Sequence, residues 1–178
     1  MIDALKIGLW KQFGASIDML ENAIRLSPEE YWNANKKLFY HAYHCLVFLE
    51  YYLTIPPTGF SPALPFTITE PGNISADPLD DLGPDKIYSK EELLDYLRYC
   101  HEKCRTLIAS LTEEEMGRRW IEAPDAIGSP TTVNFSVFEI LLYNMRHVQH
   151  HVAQLNLHLR QGINKSPGWV SSTKGDLY

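Results

Sequence analysis

From Phe39 to Leu53 the chain carries one formal charge, Glu50, among aromatic, aliphatic and imidazole side chains. A helix apolar on all sides is buried on most of them, either centrally in its domain or against a partner chain. This segment, expected as a helix over residues 35–54, therefore demands neighbours, and the rest of the chain supplies them. Residues 2–25 place Leu5, Leu9, Phe13, Ile17, Leu20 and Ile24 every three or four positions, the buried stripe of a first helix. Residues 89–110 open on a Ser89/Glu92 capping box and align Leu93, Leu97, Cys100, Cys104, Leu107 and Leu111 on one face. A fourth helix opens on Ser136-Val137-Phe138-Glu139, another capping box, and runs to about residue 161, where Gly162 is a natural stop.

The connections set the arrangement. Ser27-Pro28-Glu29-Glu30 ends the first helix and starts a short one, with Ser27 as cap, Pro28 in the first position and Glu30 completing a box. Thr112-Glu113-Glu114-Glu115 begins another helical turn or two. Residues 55–88 are interrupted by Pro56, Pro57, Gly59, Pro62, Pro65, Pro71, Gly72, Pro78, Gly83 and Pro84. So long a connection inside a compact domain lets the flanking helices run parallel, and Phe60, Leu64, Phe66, Leu79 and Leu82 are expected to pack it onto the helices. Residues 121–132, with Pro124, Gly128 and Pro130, form a second loop. The expectation is an all-α fold, a four-helix bundle over residues 1–162. A polar, glycine-bearing tail at 163–178 is expected to be ordered only in part.

At 178 residues the chain fits one domain able to bury a continuous core. Its net charge of -6 leaves no basic footprint for nucleic acid or an anionic membrane. No stretch approaches the roughly 18 uninterrupted apolar residues of a membrane span. The opening Met1-Ile2-Asp3-Ala4-Leu5-Lys6 lacks the apolar middle of a secretory leader, so a cytoplasmic protein is the default expectation. Cys45, Cys100 and Cys104 are too few and odd in number for a disulfide framework. Cys100 and Cys104 have a spacing that can bind metal, but they lie on an apolar stripe and are read as core.

Chemistry concentrates in the histidines. In Arg146-His147-Val148-Gln149-His150-His151, positions 147 and 151 lie one above the other on a helix, the spacing by which helical histidine pairs bind metal. His147 with His150 is also geometrically possible. The face of His151 continues through Gln154, Leu155 and His158 and back through Tyr143 and Ile140. A third ligand can come from His41 or His44, which share the run Phe39-Tyr40-His41-Ala42-Tyr43-His44 with no carboxylate beside them. His44 sits near mid-helix, as His147 and His151 do, and equal depth on packed helices is what a shared site requires. His101 and His158 read as surface or structural side chains.

Asn144-Met145-Arg146-His147-Val148-Gln149-His150-His151-Val152-Ala153-Gln154-Leu155 resembles the fourth-helix signature of the DinB-like (YfiT-like) proteins. His44-Cys45-Leu46-Val47-Phe48-Leu49-Glu50-Tyr51-Tyr52-Leu53 is similar to that family's second-helix histidine and the aromatic run after it. The resemblance implies an up-down-down-up bundle with a three-histidine site matching His44, His147 and His151. It also implies one divalent metal ion, typically zinc, nickel or iron-like, and a homodimer. Val152-Ala153 departs from the family's usual Arg-Gly, although the ligand spacing is untouched.

Three imidazoles without a fourth protein ligand leave a coordination position open, the mark of a catalytic rather than a structural site. The leading expectation is a metal-dependent hydrolase or a transferase using a low-molecular-weight thiol, with a small molecule or thiol as substrate. The alternative is a stress-response or interaction protein braced by its metal. Gln154 is a candidate for orienting a ligand. No general base is named: Glu50, six residues past His44, falls on another side of the helix and reads as an exposed or interfacial charge. Tyr40, Phe48 and Tyr51 lie near the His44 face, as pocket wall or ordinary core.

Overall fold

The computed structural model describes residues 1–68, 82–122 and 133–178. Its elements are α1 (Ile2–Leu26), α2 (Glu29–Ala34), α3 (Lys36–Tyr52), β1 (Phe66–Ile68), β2 (Leu82–Pro84), α4 (Lys90–Ser110), α5 (Glu113–Gly117), β3 (Arg119–Ile121), β4 (Asn134–Ser136) and α6 (Val137–Ile163). The fold is all-α, dominated by the long helices α1, α3, α4 and α6. The interruptions expected at Pro71, Gly72, Pro78, Pro124, Gly128 and Pro130, and the packing expected of Leu79 and of the Leu82 side chain, lie outside what is described.

Contacts fix the helix directions pair by pair. Lys6 near the start of α1 donates from Nζ to the Leu111 carbonyl just past α4, at 3.1 Å, and Lys90 at the start of α4 donates to Ser27 O beyond α1, at 2.6 Å. The two helices are therefore antiparallel, each with a lysine on the carbonyl end of the other, where a cation is favoured. Tyr43 stacks on Tyr88, just ahead of α4, while Glu50 meets Tyr96 and Lys103 further along it. So α3 and α4 run parallel, as the long crossover allows. In α6, Asn144, His151 and His158 meet Leu49, His44 and His41 in turn, which makes α3 and α6 antiparallel.

Helix starts follow local chemistry. Ser89 with Glu92 and Thr112 with Glu115 form reciprocal capping boxes at α4 and α5. Ser136 caps α6 by accepting from Glu139 N at 3.1 Å. The expected box at Ser27 does not form. Pro28 itself takes the cap position of α2, and Ser27 is buried at the end of α1. Gly162 likewise does not end the last helix, which continues to Ile163 and closes on Asn164 in a left-handed conformation (φ 53°). Glycine is needed at 162 for space, because a Cβ there would sit 2.1 Å from the Tyr31 hydroxyl.

Apolar faces meet as the periodicity requires. Leu9, Phe13, Ile17, Leu20 and Ile24 are buried, as are Leu93, Leu97, Leu111 and all three cysteines. Leu5 is the exception at 50% exposed: α4 has ended opposite it, and Lys6 takes the inward position. The crossover packs through Phe60, Leu64 and Phe66 and is tied down by the Tyr43 hydroxyl, donating to Leu64 O (2.9 Å) and Pro65 O (2.8 Å). Within it β1 and β2 pair antiparallel, and β3 pairs with β4; the periodicity marks none of these short strands.

The tail is more engaged than its composition implies. Trp10 Nε1 donates to Gly175 O (2.8 Å), Thr173 N to Lys11 O (3.1 Å) and Arg105 to Leu177 O (3.0 Å), laying the tail across α1 and α4. Gly14 makes room for it, since a Cβ there would meet Thr173 Cγ2 at 2.6 Å.

Candidate metal centre

The seam between α3 and α6 is drawn close by Asn144, which is fully buried. The last turn of α3 tightens, with Leu53 N donating to Glu50 O at 3.1 Å, and Asn144 Nδ2 donates to the Leu49 carbonyl at 3.0 Å. His147 follows Asn144 by one turn on α6 and His151 by two. His44 projects from mid-α3 at the same depth.

The structure brings these three together. Their ligand-capable atoms all lie within 4.8 Å of one another. His147 Nε2 and His151 Nε2 are 3.0 Å apart, and the rings of His44 stand 5.6 and 4.8 Å from those of His147 and His151. His151 is buried, while His44 and His147 keep some exposure. Burial, reinforced by the neighbouring imidazoles, lowers the pKa of His44 to about 4, of His147 to about 3 and of His151 to about 2. At neutral pH all three are therefore uncharged.

Neutral imidazole is the form that ligates metal. The Nδ1 atoms of His44, His147 and His151 are buried and have no hydrogen-bond partner among the described residues. Leaving such groups without partners is costly inside a protein. One ion accepting a nitrogen from each ring would satisfy one side of the arrangement, so the donor set fits a divalent metal of the imidazole-preferring class.

Gln154 stands at the outer edge of the cluster. Its Oε1 is buried without a partner, and its side chain acts on His151 in the direction that raises the ring's pKa, against the larger effect of burial. A Gln154 oxygen accepting from His151 Nδ1–H would hold the tautomer whose Nε2 faces His147.

On the side towards the C-terminus of α3, aromatic rings wall the site. Phe48 lies 4.6 Å from His44 and 5.6 Å from His147 between ring centroids; Tyr52 lies 5.8 Å from His147 and 5.2 Å from Tyr143. Burial first, and Tyr143 second, push the Tyr52 phenol well above its ordinary range, so it remains a neutral donor. Sequence reasoning passed over Tyr52, which eight residues beyond His44 falls about 80° round the helix, at the edge of the same broad stripe.

Other expected candidates fall elsewhere. His41 is not in the cluster; its ring is 6.0 Å from His151 and 5.2 Å from His158. His150 is exposed. His101 is structural, against Asp18 (3.5 Å) and the Trp10 ring. Cys100 and Cys104 are core thiols whose pKa burial raises, which disfavours thiolate. Tyr51 packs on Trp120 and Phe60, and Tyr40 on Phe39, so of the three aromatic candidates Phe48 alone contacts a cluster histidine in these ring pairings. Glu50 is interfacial but not exposed: it faces α4, buried at 5% exposure, and accepts from Tyr96 Oη at 2.5 Å.

A family model described as the DinB superfamily matches residues 12–155, a span that contains all three clustered histidines. The chain belongs to the DinB superfamily. No curated protein and no solved structure shows a match to it.

Proposed function

We propose that this DinB-superfamily chain binds one divalent metal ion through His44, His147 and His151 and acts as a metal-dependent hydrolase or low-molecular-weight-thiol transferase. The observation that carries this reading is the convergence of three neutral imidazoles, within 4.8 Å of one another, in a group that, among the described residues, includes no carboxylate or thiol. Such a set leaves a position for substrate, where a structural zinc site is normally closed by four protein ligands. The frame is an up-down-down-up four-helix bundle, which the pairwise helix directions support.

When bound, the ion supplies Lewis-acid activation of water or a thiol. The chain's own groups do the rest. His44 and His147 keep the partial exposure that lets a small molecule approach. Phe48 presents an apolar wall, and Tyr52 keeps a neutral phenol beside His147 and Tyr143. Gln154 orients His151. Zinc, nickel and iron all suit imidazole donors. A homodimer belongs to the same reading, and sedimentation of the full chain tests it.

Elemental analysis of the purified protein beside His44→Ala, His147→Ala and His151→Ala tests the centre. Stoichiometric divalent metal is expected in the wild type and little in each variant; equal metal in all four overturns the site. Adding azide or a small thiol to the cobalt-loaded protein tests the open position. A shift in its visible bands is expected, and an unchanged spectrum favours a metal that only braces the helices.

A further inference from the structure

The α3–α6 seam carries two further imidazoles that the centre does not use. His41 precedes His44 by one turn, and His158 follows His151 by two turns, on the helix faces that meet. Their ring centroids are 5.2 Å apart, within the 4.5 to 5.6 Å spacing of the cluster itself, and His41 lies 6.0 Å from His151. The rings thus form a row from partly exposed His158, through buried His41, to buried His151. The turn bearing His158 is held in place, because the Tyr31 hydroxyl donates to the His158 carbonyl at 2.9 Å.

A second donor type faces the same stretch. Gln154 lies on α6 between His151 and His158, three residues after one and four before the other, and its buried Oε1 has no partner. Two imidazoles suit a borderline divalent ion, and the amide oxygen can assist while it is not yet bonded to His151 Nδ1. The Lys37 ammonium nearby, which acts electrostatically on His158, works against a resident cation. A weak site beside a stronger one is the arrangement that stepwise ligand exchange requires.

We propose that His158 and His41 form an intake site that takes a divalent metal ion from solvent and hands it to His151. From there it passes to the three-histidine centre. This rests on the reading of that centre given above. A relay lowers the barrier between solvent and centre without changing either end state. It therefore speeds loading and release by the same factor and leaves equilibrium affinity alone.

The test is stopped-flow uptake of Co²⁺ by the metal-free full chain, followed through the visible bands of the loaded centre, with release measured by chelator challenge. His158→Leu and His41→Leu are expected to slow both rates by on the order of tenfold, with the final spectrum and affinity retained. Lys37→Ala is expected to load faster. Because His158 is partly exposed, its variant remains informative if His41→Leu fails to fold. Unchanged rates in His158→Leu overturn the relay alone. An altered final spectrum in that variant also overturns it, by making His158 part of the centre. A wild type with no cobalt spectrum overturns the centre and the relay together.

Discussion

Helix α3 carries two polar sites on opposite sides, and they are resolved in opposite ways. Towards α4, the Glu50 carboxylate accepts from Tyr96 Oη at 2.5 Å and from Lys103 Nζ at 3.3 Å; Lys103 also donates to Thr54 Oγ1 at 2.9 Å. Every strong group there has a partner on the neighbouring helix, as buried charge demands. Towards α6, His44 meets His147 and His151, and the buried Nδ1 atoms of all three lack partners among the described residues. One side is closed within the protein; the other is completed only by something added. A saturated network holds helices in register, while an unsaturated convergence of donors is a binding site.

The contrast is broken most directly by removing the metal. If the ion completes the α6 side, holo protein should lose apparent stability on chelation, by about 4 kcal/mol when free metal stood at a thousand times its dissociation constant. Denaturant titration with and without chelator measures this, and His147→Leu should show no such difference. Identical curves for treated and untreated wild type would make the histidine side as self-sufficient as the Glu50 side.

Next in size is the opposite test, made on metal-free protein. Glu50→Leu leaves the Tyr96 hydroxyl and the Lys103 ammonium without their acceptor, and breaking a buried pair costs about 3 kcal/mol or more. Lys103 is partly exposed and can recover some hydration, which places the expected loss at the low end of that range. His147→Leu in the same metal-free state removes an Nδ1 that has no partner and an Nε2 that meets only His151 Nε2, a neutral contact at 3.0 Å, and should change stability less. Equal losses in the two variants, by denaturant midpoint, would erase the distinction.

Acid should also separate the two sides. The cluster histidines have folded pKa values depressed below the ordinary 6.5. The unfolded chain therefore binds more protons as pH falls through 6.5, and the folded state loses stability from there down to about 4 for His44, about 3 for His147 and about 2 for His151. The slope is at most about 1.4 kcal/mol per pH unit for each imidazole. The signs agree for metal, which needs the neutral rings, so metal release should accompany the loss. Stability of metal-free wild type measured between pH 7 and 4.5 should fall more steeply than that of His147→Leu.

The two sides also differed in how readily the sequence disclosed them. Helical spacing placed His147 and His151 together, and the apolar run around His44 required a buried helix. Both are local patterns, which a sequence displays directly. The preference for His44 over His41 needed family resemblance, because spacing within one helix says nothing about depth against another. Glu50 reads as an exposed or interfacial charge; the sequence leaves that choice open because its partners Tyr96 and Lys103 come from a helix reached only through the long crossover. Gly162 looked like a helix stop because its reason, the ring of Tyr31, is equally remote in sequence. The tail read as polar because its hold on Trp10, Lys11 and Arg105 runs largely through backbone groups, which composition does not register. Val152, where the family usually has arginine, is buried in the core, so that departure is absorbed by packing.

The smallest expected effect tests whether the unsaturated side has any internal support. Gln154 Oε1 and His151 Nδ1 are both buried without a partner, and the two side chains lie three residues apart on α6. If their mutual hydrogen bond forms when the ring is locked onto metal, Gln154→Leu should weaken binding by on the order of tenfold, the lower end for loss of an orienting partner. Gln154→Glu should retain or exceed wild-type affinity, because a carboxylate accepts the same proton more strongly. Metal-free stability should barely move in Gln154→Leu, since the bond it removes is not yet made. Competition titrations against a chelator of known affinity read both variants. Unchanged affinity in Gln154→Leu would leave the three rings oriented by helix packing alone, and the contrast with the closed Glu50 network would then be complete.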